Sequence, residues 1–83
     1  MQLRITFRDA EQSQKLLEVL SSKFSSQFSV ISTKQREDSP VCVVDLNADP
    51  ALFREISQIT KQEKEVYSDV TLEIMDSQIE ETK

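Results

Sequence analysis

Glycine and histidine are both absent from the 83 residues. About 7% of an average chain is glycine, so roughly six would be expected at this length. Without glycine there is no Walker-type phosphate loop and no G-x-G-x-x-G dinucleotide turn. Without histidine there is no imidazole base, no His-based triad and no ordinary catalytic zinc site. Aromatic residues are few: Phe7, Phe24, Phe28, Phe53 and Tyr67. The single cysteine, Cys42, excludes an intramolecular disulfide and fits a reducing compartment. No apolar run approaches the ~20 residues of a membrane span. The opening Met-Gln-Leu-Arg-Ile-Thr-Phe alternates at once and lacks a signal-peptide apolar core. These features lead us to expect a cytoplasmic protein without a membrane partner.

The charge balance narrows the partners further. Fifteen acidic and ten basic residues give a net charge of −5. Nucleic acid presents a dense row of phosphates, so direct nucleic-acid binding is not expected of such a chain. Adhesion to an anionic membrane surface is disfavoured for the same reason.

What is there reads as six elements. Gln2 to Arg8 alternates strictly, with Leu3, Ile5 and Phe7 on one face and Gln2, Arg4, Thr6 and Arg8 on the other, the pattern of a half-buried strand. Asp9 caps a following helix, with Gln12 at the reciprocal capping position and Leu16, Leu17, Leu20 and Phe24 at helical spacing. Glu11 and Lys15 form an i,i+4 pair in the favourable order. A second strand runs from Phe28 to Thr33. Phe28 and Val30 share one face; Ser29, Ile31 and Thr33 share the other.

A polar connection from Lys34 ends at Ser39-Pro40. Val41 to Leu46 follows, the most apolar stretch and the expected central strand. Asp49-Pro50 supplies an N-cap and a proline at the first helical position. The second helix carries Leu52, Phe53, Ile56 and Ile59 and runs to about Glu65. Val70 to Met75 alternates again, with Val70, Leu72 and Ile74 opposite Asp69, Thr71 and Glu73. We expect one α+β domain over residues 1–76 and a flexible polar C-terminal tail over 77–83.

The order β-α-β-β-α-β has one dominant compact solution, a four-stranded antiparallel sheet in the order 4-1-3-2 with both helices on one face. The chain therefore resembles the ferredoxin-like fold over nearly its whole length. The resemblance is architectural and carries little functional weight, because the fold hosts unrelated activities. Members that bind RNA stack bases on aromatics of the two central strands. Here only Phe7 lies on those strands, and it belongs to the buried set. The Cys-x-x-Cys motif and the glycine-bearing loops of other groups with this fold are missing.

Chemistry-bearing clusters are equally sparse. Asp45-Leu-Asn47-Ala-Asp49 imitates the start of a calcium loop, but Pro50 stands where glycine is needed and Ile56 where glutamate is needed. Glu37-Asp38 and Glu80-Glu81 lie in solvated segments, not in a cleft that would shift their pKa values. We expect no catalytic residues, no metal and no cofactor.

The more specific expectation is a surface. With Cys42, Val44 and Leu46 turned to the helices, Val41 and Val43 face outward beside Ile31, bordered by Arg4, Thr6 and Arg8. In the opposite register Cys42 and Val44 take their place. An apolar patch with a polar rim is a candidate association surface. The sequence thus points to a small non-enzymatic module that binds a protein partner or itself, as a homodimer, through the open sheet face or a strand edge. The alternative is an acidic inhibitor or regulator of a nucleic-acid-binding protein, of the phage anti-defence type. It would act through Glu37, Asp38, Glu63, Glu65, Glu80 and Glu81.

Overall fold

A computed structural model describes residues 1–35 and 37–75. The element order is β1 (Gln2–Phe7), α1 (Ala10–Phe24), β2 (Phe28–Gln35), β3 (Cys42–Ala48), α2 (Pro50–Gln62) and β4 (Thr71–Ile74). The four strands form one sheet in the order β2-β3-β1-β4, and each neighbouring pair is antiparallel. Read from the other edge the same order is β4-β1-β3-β2.

Period-two patterning decides which strand residues are buried. Leu3, Ile5 and Phe7 of β1 and Cys42, Val44, Leu46 and Ala48 of β3 all point to one face and are buried. The question of register in β3 is thereby answered: Cys42 and Val44 belong to the core. Leu16 and Leu20 of α1 and Leu52 and Ile56 of α2 join the same cluster, so both helices cover that single face. Tyr67, from the connection before β4, completes it, a residue that strand and helix periodicity alone did not assign.

Local chemistry starts and stops the elements without glycine. Asp9, in extended conformation, accepts a hydrogen bond from the Gln12 backbone N–H at 3.0 Å, as an N-cap should. Gln12 does not close the expected reciprocal box onto Asp9. Its Oε1 accepts from the backbone N–H of Arg8 at 2.8 Å, and its Nε2 donates to the carbonyls of Val66 and Ser68, both at 2.9 Å. The buried amide thus ties the start of α1 to the connection before β4. The end of α1 turns through Gln27 N–H donating to the Phe24 carbonyl at 2.9 Å.

Pro50 opens α2 as expected, but the Asp49 side chain makes no cap hydrogen bond. The Asp49 carbonyl instead receives the N–H groups of Leu52 and Phe53. α2 stops at Gln62, short of the expected Glu65, and the Glu63 carbonyl receives Val66 and Tyr67 in the turns that follow. At Asp69 the backbone has φ 65°, a left-handed turn position that glycine would normally take. Aspartate is among the few L-residues that tolerate it.

β2 departs most from its expected form. It runs two residues further, to Gln35, and its register against β3 shifts between Val30 and Ser32. Val30 opposes Leu46 and Ser32 opposes Asp45, leaving Ile31 as the extra residue of a bulge. Beyond the bulge the parity reverses, so Thr33 opposes Val44 and takes the helix-facing side. The expected polar tail over 77–83 lies outside the described residues.

Candidate interaction surface

The sheet face away from the helices is built in rows that cross all four strands. Thr71, Thr6, Val43 and Lys34 form one row, and Glu73, Arg4, Asp45 and Ser32 the next. The second row alternates in charge. Arg4 donates from Nε to Asp45 Oδ1 at 2.9 Å and from its terminal nitrogen to Oδ2 at 3.3 Å. Ser32 Oγ donates to the same Oδ2 at 3.4 Å. The Arg4 hydrogen bond holds the Asp45 carboxyl below its ordinary pKa against an opposing desolvation effect, with Ser32 and the Lys34 charge assisting. Reciprocally, Asp45 raises Arg4, first by hydrogen bonding and then by its charge. The two-pronged geometry orients β1 against β3 more strictly than a single contact would.

The expected patch is distributed over this surface differently. Arg4 and Thr6 point to the open face as anticipated. Val43 does too, half-buried between Thr6 and Lys34. Ile31 sits at the bulge and has no Cα partner on β3. Val41 precedes the first paired residue of β3, and its N–H donates to Ser39 Oγ at 3.2 Å. No two of Ile31, Val41 and Val43 are therefore cross-strand partners. Arg8 lies beyond the end of β1. It donates to Ser68 Oγ at 2.7 Å and to Asp9 Oδ2 at 3.3 Å, bracing the turn at one end of the sheet. Of the polar face expected on the last strand, Glu73 stands opposite Arg4, and Asp69 occupies the turn before the strand.

The signal for Asp45 was present in the sequence. It alternates with Val43 and Asn47, and outward parity for Val43 requires it for Asp45.

Exposed apolar surface gathers elsewhere. Among the described residues the large exposed hydrophobics are Val30 (47%), Ile31 (51%) and Ile74 (39%). All three lie on edge strands, two on β2 and one on β4.

Three other titratable or nucleophilic groups are engaged by the fold. Asp9 is held below its usual carboxylate range, chiefly by the Gln12 backbone N–H, with Arg8 contributing. Burial, and then Glu63, pushes Tyr67 upward. Cys42 is buried, its sulfur 3.6 Å from Ser13 Oγ. Among the described residues no group of three or more His, Cys, Asp or Glu is placed to hold a metal ion, and no helix is long and apolar enough to cross a membrane. No protein-family model, no curated protein and no solved structure matches this chain.

Proposed function

We propose that the protein is a small, non-enzymatic interaction module of the ferredoxin-like class that binds a protein partner or itself through an exposed strand edge. One observation carries this reading: β2 is an eight-residue edge strand, exposed along most of its length, with Val30 and Ile31 uncovered at its centre. A free edge offers unpaired backbone N–H and carbonyl groups to an incoming strand, and flanking side chains select among partners. The open face supports binding less well, because Arg4, Asp45 and Ser32 already satisfy one another there. Its central strands present Arg4, Thr6, Val43 and Asp45, with no aromatic platform for bases, and Phe7 is in the core. The perturbed carboxylates serve a helix cap and an ion pair, which favours structure over catalysis. A lone buried thiol suits a cytoplasmic protein.

The test is capture from a lysate of the source cells with the intact chain and with Val30→Lys/Ile31→Lys. A partner held by the wild type and lost by the edge variant supports the reading. Identical retained proteins for both would refute it.

A second reading, an acidic regulator of a basic partner, is favoured by a separate feature. The turn after β1, the β2–β3 connection and the connection before β4 meet at one end of the sheet. Glu37, Asp38, Glu63 and Glu65 are exposed there, and Glu65 borders a hollow in which Asp9 and Glu11 are paired with Arg8 and Lys15. Retention on a cationic peptide resin discriminates, comparing Glu37→Gln/Asp38→Asn with the charge-matched Glu18→Gln/Glu55→Gln. Equal salt elution of the two would remove this reading.

A further inference from the structure

We infer that two copies of this chain dimerise by exchanging β4: segment 66–75 of each leaves its own β1 and takes the same place on β1 of the other. The exchange goes beyond the edge-binding reading, because it uses the opposite side of the sheet and leaves β2 free.

The seat of this segment is built from the start of the chain. β4 pairs with β1 alone, Leu3 opposite Ile74 and Thr6 opposite Thr71. The Gln2 carbonyl accepts from Met75 N–H at 2.8 Å. Gln12 holds the carbonyls of Val66 and Ser68, and Arg8 donates to Ser68 Oγ. Tyr67 is buried in the core cluster. Each copy therefore carries a complete seat, which its own segment or another's fills with the same contacts. Exchange alters only the connection between α2 and the segment. A four-residue strand with one neighbour is also the element of the sheet most easily opened.

The connection is broken at a single residue. α2 ends at Gln62, and Glu63 leaves the helical path with φ −110° and ψ 62°. Yet Glu63 N–H still donates to the Ile59 carbonyl, and the Glu63 carbonyl already receives Tyr67 N–H, both at 3.0 Å. Both are bonds that a continuous helix makes. Returning Glu63 to helical values, about −63° and −42°, joins the two pieces. Glu63, Lys64 and Glu65 are good helix formers, and neither glycine nor asparagine follows to end the helix. What stops α2 is the return of β4 to its own sheet. A rotation of that size at Glu63 swings Tyr67 and β4 off their seat, and a second copy offers an equal one. A hinge held away from its local preference is the setting in which such exchange occurs.

Refolding at millimolar concentration should give a dimer that persists on dilution, read by sedimentation, because separation requires both segments to reopen. Lys64→Pro should lower the dimer fraction at least about tenfold, because proline breaks a continued helix there and suits the second position of the present turn. Thermal melts check that this variant folds.

Cysteines placed at the paired Thr6 and Thr71 test the exchange without that proline. Thr6→Cys/Thr71→Cys, oxidised as the monomer, should close an internal disulfide and fail to dimerise on refolding until reduced. Thr6→Cys and Thr71→Cys chains refolded together should link to each other faster than Thr6→Cys links to Glu18→Cys. Wild type, whose cysteine is buried, is the blank. A wild type that stays monomeric after refolding at millimolar concentration overturns the inference, as does a dimer that still forms from the internally locked chain. The locked chain keeps its β2 edge, so capture of a lysate partner by it tests the edge-binding reading separately.

Discussion

Replacing Gln12 with leucine should remove a large part of the stability of this domain. The side chain is nearly inaccessible, at 2% exposure, and makes three hydrogen bonds. It accepts from Arg8 N–H and donates to the Val66 and Ser68 carbonyls. Leucine has similar bulk and no polar atom, so all three partners lose their protein contact together. Each intramolecular hydrogen bond is worth about 0.5–1.5 kcal/mol net, which gives a range of about 1.5–4.5 kcal/mol. The partners are only partly buried and regain some water, so the expected loss is about 2–3 kcal/mol. For a domain of this size that lowers the melting temperature by about 10–20 °C.

Urea denaturation should report the same loss as a lower midpoint with an unchanged slope. Amide exchange should accelerate first over residues 63–70, the segment that Gln12 anchors. Gln12→Glu should be worse than Gln12→Leu at neutral pH, because it sets a carboxylate against two carbonyl oxygens. A Gln12→Leu protein that melts within a few degrees of wild type would refute this account of how the connection is held.

Three further outcomes follow from the same geometry. Asp69→Val should cost about 1–2 kcal/mol in urea denaturation, because a β-branched residue resists φ 65°; an unchanged midpoint would show the turn relaxing at no cost. Asp45 has a depressed carboxyl in the folded state, so its ionised form is bound more favourably there than in the unfolded chain. Its contribution is complete above the unfolded value of about 3.9 and disappears as pH falls through the lower folded value. Acid titration of stability should therefore be shallower in Asp45→Asn than in wild type, and parallel curves would contradict the sign. Val43→Glu should leave sedimentation unchanged, since Val43 lies between Thr6 and Lys34 away from both edges; a loss of association would return the binding surface to the open face.

Much of the architecture was readable because each strand carries its own period. Leu3, Ile5 and Phe7 against Arg4 and Thr6 need no tertiary knowledge to orient, and neither do Leu72 and Glu73 on β4. The cap at Asp9 was equally local. What escaped the sequence was decided between elements. The bulge at Ile31 reverses the parity of β2, yet a run of Ser, Val, Ile and Thr contains no residue that announces it. Gln12 looked like a capping partner because its real acceptors lie more than fifty residues away. Asp49 resembled a cap and leaves that work to its backbone. Arg8 continued the alternation of β1 by one residue, but the strand had already ended and its guanidinium turned to Ser68. The candidate patch shifted for the same reason: its members were placed by extrapolating strands past a bulge and past a terminus.

The pairing of β1 with β4 has a consequence for how the molecule is made. Residues 3–6 are synthesised well before their partners on this side, residues 71–74. Contacts so distant along the chain are slow to form. On the ribosome β1 can align with β3 once Ala48 has emerged, but its second flank stays open until β4 follows. At about 5–20 residues per second that interval lasts seconds. During it, nascent chains expose the free edge of β1 as an unfinished border, and β4 closes it.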